Sequence, residues 1–194
     1  MILPLIKHLE TYILFNDEEK TLLGQKFFIK QIKRKEKILS EGTICRHYTF
    51  IIDGCFRMYG IDDDGYEHNI QFAAENDWIA DIGSFHTKKP AKLYIQAIEA
   101  STILQIEQQD LYSLYLSIQK LDRIFKVIIE NKYVELQDRL LQTFSSTAEQ
   151  RYLSFLEHYS ALSNRLPNSQ IASYLGITPE FLSKIRKDLS KKRR

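Results

Sequence analysis

The most restrictive feature of this sequence is a stretch with neither glycine nor proline, residues 111–144. Apolar residues recur in it at intervals of four, three, four and three: Leu114, Ile118, Leu121, Phe125 and Ile128. Such spacing is typical of a helix with one apolar seam. A helix of about thirty residues is about 45 Å long, too long to bury fully against one small domain. The seam therefore predicts a parallel dimer, with packing against the chain's own domain as the alternative.

The preceding part of the chain, residues 27–107, alternates β-branched and aromatic residues with polar ones between turn signals. This pattern predicts many short strands in a sandwich, roll or barrel. Asp53-Gly54 predicts a two-residue hairpin, because both residues tolerate positive φ. We expect a second turn at residues 62–65 and another hairpin at Glu99-Ala100. One or two short helices are predicted before the strands.

The C-terminal part carries signals for two short helices joined by a tight turn. Pro167 suits the first position of a helix, and Gly176 suits its left-handed end. Thr178 then caps a second helix, with Pro179 at its first position. Ala172 is a small residue where the two helices would cross. Together these signals predict a helix-turn-helix, preceded by an amphipathic helix over residues 149–159.

Charge is concentrated in this C-terminal part. Residues 164–194 carry a net charge of +6, whereas the whole chain carries +2, so the remainder carries −4. This asymmetry favours a polyanionic partner for the C-terminal part. On the outer side of the second helix, Glu180, Ser183 and Lys184 carry groups of the kinds that contact base edges, and the family resemblance given below implies this role for them. The residues expected to contact phosphates are Asn168, Ser169, Thr178, Arg186, Lys187 and Lys191, with the rest of the basic tail to Arg194.

The order of strands, long helix and helix-turn-helix resembles the Crp/Fnr family of transcription regulators, the family of the cyclic-AMP receptor protein. The stretches that carry the resemblance are EKILSEGTICRHYTFIIDGCFRMYGIDDDGYE, IEAST and SSTAEQRYLSFLEHYSALSNRLPNSQIASYLGITPEFLSKIRK. The last is similar to a Bacteroidetes-type branch. The resemblance implies a homodimer that binds double-stranded DNA and contacts RNA polymerase. Pro179 stands where many members have a base-contacting arginine, so a different half-site is expected.

The predicted fold class is α+β. Residues 1–109 are expected to form N-terminal helices and a β-roll, a jelly roll like cyclic-nucleotide-binding domains. Residues 110–142 are expected to form the long dimerisation helix, and residues 143–194 the helix-turn-helix DNA-binding domain. Family members usually add a β-hairpin wing after this motif. Only five residues follow Leu189 in this sequence, so we expect no full wing.

The resemblance also locates a tentative ligand pocket in the β-roll. Cyclic-nucleotide-binding members hold the ribose with a Gly-Glu pair and the phosphate with an Arg-Ser pair. Here Ala80-Asp81 and Ala91-Lys92 stand at those positions, so the phosphate-binding guanidinium is missing. We therefore expect no tight binding of a cyclic nucleotide and leave open another small ligand or none. The tentative pocket residues are Asp81, Ile82, Gly83, Ser84, Lys89 and Lys92.

Other functions have little support in the sequence. Two cysteines and five scattered histidines do not form a metal-site or iron-sulfur pattern. No phosphate-binding glycine motif or nucleophile motif occurs, so we expect no catalytic residues and no enzyme. The two cysteines, which form no CxxC pair, together with the absence of a signal-like N-terminus and of a long apolar run, predict a cytoplasmic protein. Two alternatives are a β-roll whose helical end binds a protein partner, and a metal-dependent enzyme on a cupin-like roll.

Overall fold

A computed structural model describes residues 2–192, which contain eight helices and eight strands. The strands are β1 (Phe28–Ile32), β2 (Lys37–Leu39), β3 (His47–Asp53), β4 (Phe56–Ile61), β5 (Glu67–Ala73), β6 (Trp78–Ile79), β7 (Tyr94–Ala97) and β8 (Ser101–Glu107). The helices are α1 (Leu3–Glu10), α2 (Asp17–Lys26), α3 (Ile82–Thr87), α4 (Gln108–Ser117), α5 (Gln119–Ser145), α6 (Ala148–His158), α7 (Asn168–Leu175) and α8 (Pro179–Lys192). The α+β fold class is confirmed, as are the two N-terminal helices.

The chain forms two units. Among the described residues, the first contains residues 2–60 and Gln71–Glu130, and the second contains Ile61–Ile70 and residues 131–192. Helix α5 contributes its first part to one unit and its second part to the other. None of the helices within residues 2–192 combines the length and apolar character needed to span a membrane.

Two antiparallel four-stranded sheets form the β-roll. Their strand orders are β1-β8-β3-β6 and β2-β7-β4-β5. Because β3 and β4 belong to different sheets, the predicted hairpin at Asp53-Gly54 is wrong. Gly54 has φ of +105° and lies so close to Ser101 that an added Cβ would be 2.1 Å from its Oγ. Gly54 therefore lies where the chain crosses from one sheet to the other, and its missing side chain allows the backbone to pass close to β8.

The predicted hairpin at Glu99-Ala100 is wrong for the same reason, since β7 and β8 also lie in different sheets. The turn at residues 62–65 is confirmed, because it joins β4 to its neighbour β5. Gly65 adopts φ of +85° there, and the Asp62 carboxylate accepts hydrogen bonds from the N–H groups of Asp64 and Tyr66. Alternation alone does not distinguish a turn within a sheet from a crossing between sheets.

The apolar seam of residues 114–128 lies in the core of the first unit. All five of its residues are at most 5% exposed: Leu114, Ile118, Leu121, Phe125 and Ile128. The Phe125 ring lies 4.9 Å from Trp78 and 5.6 Å from Tyr48 between centroids. The seam is thus covered by its own chain, which is the alternative weighed from the sequence. The side chains expected to contact a second copy are already buried.

The predicted continuous helix over residues 111–144 is also interrupted. Ile118, with φ of −127° and ψ of 78°, separates α4 from α5. Its N–H still donates to the Leu114 carbonyl, at 2.7 Å. The apolar spacing does not reveal this break, because Ile118 is itself buried on the same side as its neighbours in the seam.

We expect Leu121→Ala to lower the free energy of unfolding of the first unit by about 2 to 5 kcal/mol, because a fully buried leucine leaves a cavity. Urea unfolding at several protein concentrations measures this loss. Leu116→Ala is the matched control: Leu116 is 85% exposed, and its replacement should change the free energy by less than about 0.5 kcal/mol. A loss for Leu121→Ala that vanishes at high protein concentration would instead place Leu121 in a subunit interface.

Candidate nucleic-acid interface

Helices α7 and α8 form the predicted helix-turn-helix. Gly176 ends α7 in the left-handed conformation, with φ of 66° and ψ of 39°. The Thr178 hydroxyl accepts a hydrogen bond from the Phe181 N–H at 3.2 Å, so it caps α8 as expected. Ala172 is fully buried, which allows close packing at the crossing. Pro167 precedes α7 and is not its first residue, a difference of one position from the prediction.

The apolar sides of the two helices face a small core. Four of the five large aliphatic residues between Ile171 and Ile185 are buried there: Ile171, Leu175, Leu182 and Ile185. The fifth, Ile177 in the turn, is only partly covered. Helix α6 adds Tyr152 and Phe155, and the Phe155 ring lies 5.6 Å from Tyr174 of α7. This core orients α8 so that its polar side is exposed.

The exposed side of α8 carries the residues expected to contact DNA. Glu180, Lys184, Lys187 and Lys191 follow at intervals of four, three and four, so they share one side of the helix, and all four are exposed. Within residues 2–192, none of these three lysines forms an ion pair. Ser183 is exposed beside them, and its hydroxyl donates to the Pro179 carbonyl at 2.9 Å. The result is a cationic surface with a single carboxylate near the start of the helix.

Two further cations of α8 have structural partners. Arg186 donates through Nε to the Tyr152 hydroxyl at 2.9 Å and through Nη1 to Oδ1 of Asn168. Lys192 donates to a carboxylate oxygen of Glu149 at 2.8 Å. Two of the expected phosphate ligands, Arg186 and Asn168, are therefore bonded to each other at the exposed start of α7. Ser169 is exposed next to them, while Arg193 and Arg194 lie outside the described residues.

Arg139 of α5 links several parts of the second unit, and the sequence did not reveal it. Its Nη2 donates to the carbonyls of Asn69 and Tyr174, both at 2.9 Å, and its Nη1 donates to the carbonyl of Ile70. The guanidinium carbon lies 3.8 Å from the centre of the Tyr174 ring. A planar group with several donors can make these contacts together, which a lysine cannot. Burial raises the pKa of the Tyr174 phenol, and Arg139 opposes part of this rise.

Asn69 connects the same segment to the first helix of the motif. The residue is 2% exposed; its N–H donates to the Ser173 hydroxyl oxygen at 3.0 Å and its Nδ2 donates to the Gln170 carbonyl at 3.0 Å. The Ser173 hydroxyl in turn donates to the Glu67 carbonyl at 2.6 Å. Helix α7 is thus hydrogen-bonded to residues 67–70 through both side chain and backbone. No local pattern predicts these bonds, because the partners lie about a hundred residues apart.

In the first unit, the tentative ligand residues have structural roles. The Asp81 carboxylate accepts a hydrogen bond from the Ser84 N–H at 2.9 Å and so caps α3. Ser84 is buried, donates to the Lys89 carbonyl and accepts from the Cys45 N–H. Ala91 is 3% exposed and takes part in backbone hydrogen bonds.

The other tentative ligand residues lie near the surface. The Lys89 and Lys92 side chains are exposed, as is Gly83, while Ile82 is partly buried. Among the described residues, no group of three or more potential ligands could hold a metal ion. The part of the tentative pocket residues in binding a small ligand stays a prediction.

We expect Arg139→Lys to destabilise the second unit by about 1 to 3 kcal/mol, because the lysine keeps the charge but loses most of the hydrogen bonds. Urea unfolding, with hydrogen exchange of the α7 amides, measures the effect. Arg123→Lys is the control, since Arg123 is exposed on the same helix. Equal and small effects of both replacements would show that the contacts of Arg139 do not stabilise α7.

Comparison with known proteins supports this fold. Residues 29–117 match the family model described as a cyclic nucleotide-binding domain. A search of curated proteins finds no match. FixK2 from Bradyrhizobium japonicum aligns with a TM-score of 0.73 and 18% identity, over 86% of this chain and 85% of its own.

Two further solved structures are similar over most of their length. A mutant of CooA from Carboxydothermus hydrogenoformans aligns with a TM-score of 0.74 and 16% identity, over 92% of this chain and 82% of its own. A protein from Eubacterium rectale, described as belonging to the Crp/Fnr family of transcriptional regulators, aligns with a TM-score of 0.71 and 14% identity. The alignment covers 92% of this chain and 85% of that protein. The chain therefore contains a cyclic nucleotide-binding domain fold in residues 29–117 and shares its overall fold class with structures of Crp/Fnr type.

Proposed function

We propose that this protein is a sequence-specific DNA-binding transcription regulator of the Crp/Fnr type, and not an enzyme. The observation that carries the proposal is the exposed side of α8, where Lys184, Lys187 and Lys191 have no ion-pair partners among residues 2–192. Free cations on the second helix of a helix-turn-helix can neutralise phosphates and contact base edges in a major groove. The similar folds in known regulators add support.

In this proposal α8 lies in the major groove. Lys184 donates to O6 and N7 of a guanine, and Glu180 accepts from the amino group of a cytosine. Ser183 lies beside them and can bond to either kind of base edge. The groups around them contact phosphates: Asn168, Ser169, Thr178, Arg186, Lys187 and Lys191. Arg186 holds the Asn168 side chain, so these two would act together at the start of α7.

We further propose that the regulator is a homodimer that binds two half-sites about one helical turn apart. The 114–128 seam is buried in its own unit, so another surface must join the subunits. A stripe of large apolar residues remains exposed farther along α5, by 36% to 80%: Ile129, Tyr133, Leu136, Leu140 and Phe144. They follow at intervals of four, three, four and four, which is typical of helix pairing. We propose a second copy of this chain as the occupant of this α5 stripe.

Several finer features belong to the same proposal. The similarity of residues 145–187 to a Bacteroidetes-type branch and contact with RNA polymerase belong to the family resemblance, and a cytoplasmic location is the expectation from the sequence. A cyclic nucleotide is an unsuitable effector, because Ala91 supplies no guanidinium and Asp81 already caps α3. Any effector would therefore be another small molecule.

A second candidate is a β-roll protein whose helical end binds a protein partner. The observation that favours it is Phe181, a large apolar residue on α8 that is 46% exposed. Binding to random-sequence duplex at low salt distinguishes the two candidates. Salt-sensitive binding supports the regulator, whereas its absence supports the protein partner.

We expect Lys184→Ala to weaken binding to a site selected from random DNA by about 1 to 3 kcal/mol and to relax discrimination at one base pair. Lys191→Ala should weaken binding to all DNA sequences alike and reduce the magnitude of the slope of log K against log salt by about one. Fluorescence anisotropy with selected and random duplexes measures both. Lys126→Ala, at an exposed lysine of α5, should change neither the affinity for the selected site nor the salt dependence of binding. Equal losses on both duplexes for Lys184→Ala would exclude a base contact.

We expect Leu140→Glu to weaken self-association at least tenfold, because two carboxylates would be buried in the α5 stripe. Sedimentation equilibrium over a range of concentrations measures the subunit association. Asn131→Glu is the control, since Asn131 is exposed on the opposite side of the same helix. An unchanged mass distribution for Leu140→Glu would show that the stripe does not join subunits.

A further inference from the structure

A cavity of about 180 Å³, partly open to solvent, lies between the two sheets of the β-roll. Its walls include four apolar side chains and two buried polar ones: Ile38, Leu39, Ile44, Ile95, Thr49 and Gln105. Arg46 and His47 also line this inter-sheet cavity. None of the tentative ligand residues of the α3 segment contributes to this wall.

The register of β3 and β8 places the polar pair in this space. Tyr48 and Phe50 contact Trp78 of the neighbouring strand β6 on one side of their common sheet, so Thr49 between them points to the opposite side. Thr49 is paired in register with Gln105 of β8. The facing sheet contributes Leu39 and Ile95. The two polar side chains are therefore directed between the sheets, where a small core normally holds apolar residues.

Thr49 and Gln105 are 1% and 4% exposed, yet they use little of their hydrogen-bonding capacity. The Gln105 Nε2 donates to the Thr49 hydroxyl oxygen at 3.0 Å. Within residues 2–192 the Gln105 side chain makes no other hydrogen bond. A primary amide has two donors and an acceptor with two lone pairs. One donor and the acceptor therefore remain available to an occupant of the cavity.

Other buried polar groups of the first unit have protein partners. Arg57, for example, donates through Nε and Nη2 to the Gln96 side-chain oxygen. The spare capacity of the Gln105 amide faces the cavity, from which either water or a ligand can reach it. A second Gln–Thr pair, Gln31 with Thr102, has the same 3.0 Å separation but lies at the surface, where water satisfies it. It provides a matched comparison on the same strand.

Two ionisable residues of the wall, Cys45 and His47, are uncharged at neutral pH, which leaves only the solvent-exposed Arg46 to pair with an ionic occupant. Burial raises the pKa of the Cys45 thiol to about 11, so this wall residue is uncharged at neutral pH. Burial also lowers the pKa of His47; Lys30 and Arg46 add to the lowering, while Glu107 opposes it. His47 is therefore mainly neutral at pH 7. Arg46 is the charged wall residue and is exposed to solvent.

The size restricts the occupant further. Pockets for drug-sized ligands begin at about 300 Å³, whereas an apolar cavity of about 150 Å³ admits benzene. A single ring therefore matches the size of this space. An amide group on such a ring would donate its N–H to the Gln105 side-chain oxygen. Its carbonyl would accept from the second N–H of the Gln105 side chain.

We propose that the inter-sheet cavity binds a neutral, single-ring carboxamide through the amide of Gln105 and the hydroxyl of Thr49. The ring occupies the space between Leu39 and Ile95, and the polar group faces β3 and β8. This site is distinct from the α3 segment, and its occupancy is independent of whether α8 binds DNA. Its test therefore needs no DNA, and its failure would leave the proposed function untouched.

Three probes of similar shape test the proposal on the unaltered protein: benzamide, benzoate and toluene. Nuclear magnetic resonance follows the Gln105 side-chain amide and the backbone amides of β3. We expect saturable shifts with benzamide and at least tenfold weaker binding of the other two, because toluene makes no hydrogen bonds and benzoate carries a charge. Equal or tighter binding of benzoate or toluene overturns the proposal. So does an absence of saturable shifts with benzamide up to its solubility limit.

Two variants locate the probe. Thr49→Val and Gln105→Leu should each weaken benzamide binding about tenfold, while Thr102→Val, on the surface pair, should leave it unchanged. Unfolding midpoints confirm that each variant is folded. Unchanged binding by folded Thr49→Val and Gln105→Leu overturns the assignment. Because the three-probe comparison uses only the unaltered protein, it decides the question even where a core variant does not fold.

Discussion

The packing of the 114–128 seam against the β-roll is the constraint on which the first unit depends. Tyr48 and Phe50 of β3 lie on the same side of their sheet as Trp78 of β6, and Phe125 of α5 packs against Trp78 there. Alternation along β3 then directs Thr49 to the other side. A shift of one residue between β3 and β8 would exchange these two sides, so helix packing and the inter-sheet cavity depend on one register.

The second unit separates cations that hold the structure from cations that remain available. Arg139 and Arg186 form hydrogen bonds within the unit, and Lys192 pairs with Glu149. Lys184 and Lys187, in contrast, extend from α8 without ion pairs among residues 2–192. Contact with a polyanion through these lysines would break no existing ion pair. The contacts of Arg139 and Asn69 meanwhile hold α7, which packs against the buried side of α8.

The sequence predicted individual elements better than their pairing. It indicated strands on both sides of Asp53-Gly54 and Glu99-Ala100, and strands are present there. It did not indicate that each pair is divided between two sheets, because pairing depends on distant strands such as β8. The seam of residues 114–128 was likewise recognised as apolar. Its burial within one chain depends on the aromatic residues of β3 and β6, which helical spacing does not describe.

By itself, the sequence determined the helix-turn-helix and the strand-rich fold class. The left-handed turn at Gly176 and the Thr178 cap depend on interactions within a few residues, so local chemistry is sufficient to specify them. Only the tertiary structure decided which apolar side of the long helical region is exposed, which carbonyls Arg139 binds, and that Gln105 meets Thr49. Those contacts join residues that are distant in sequence, and their geometry exists only after the sheets have packed.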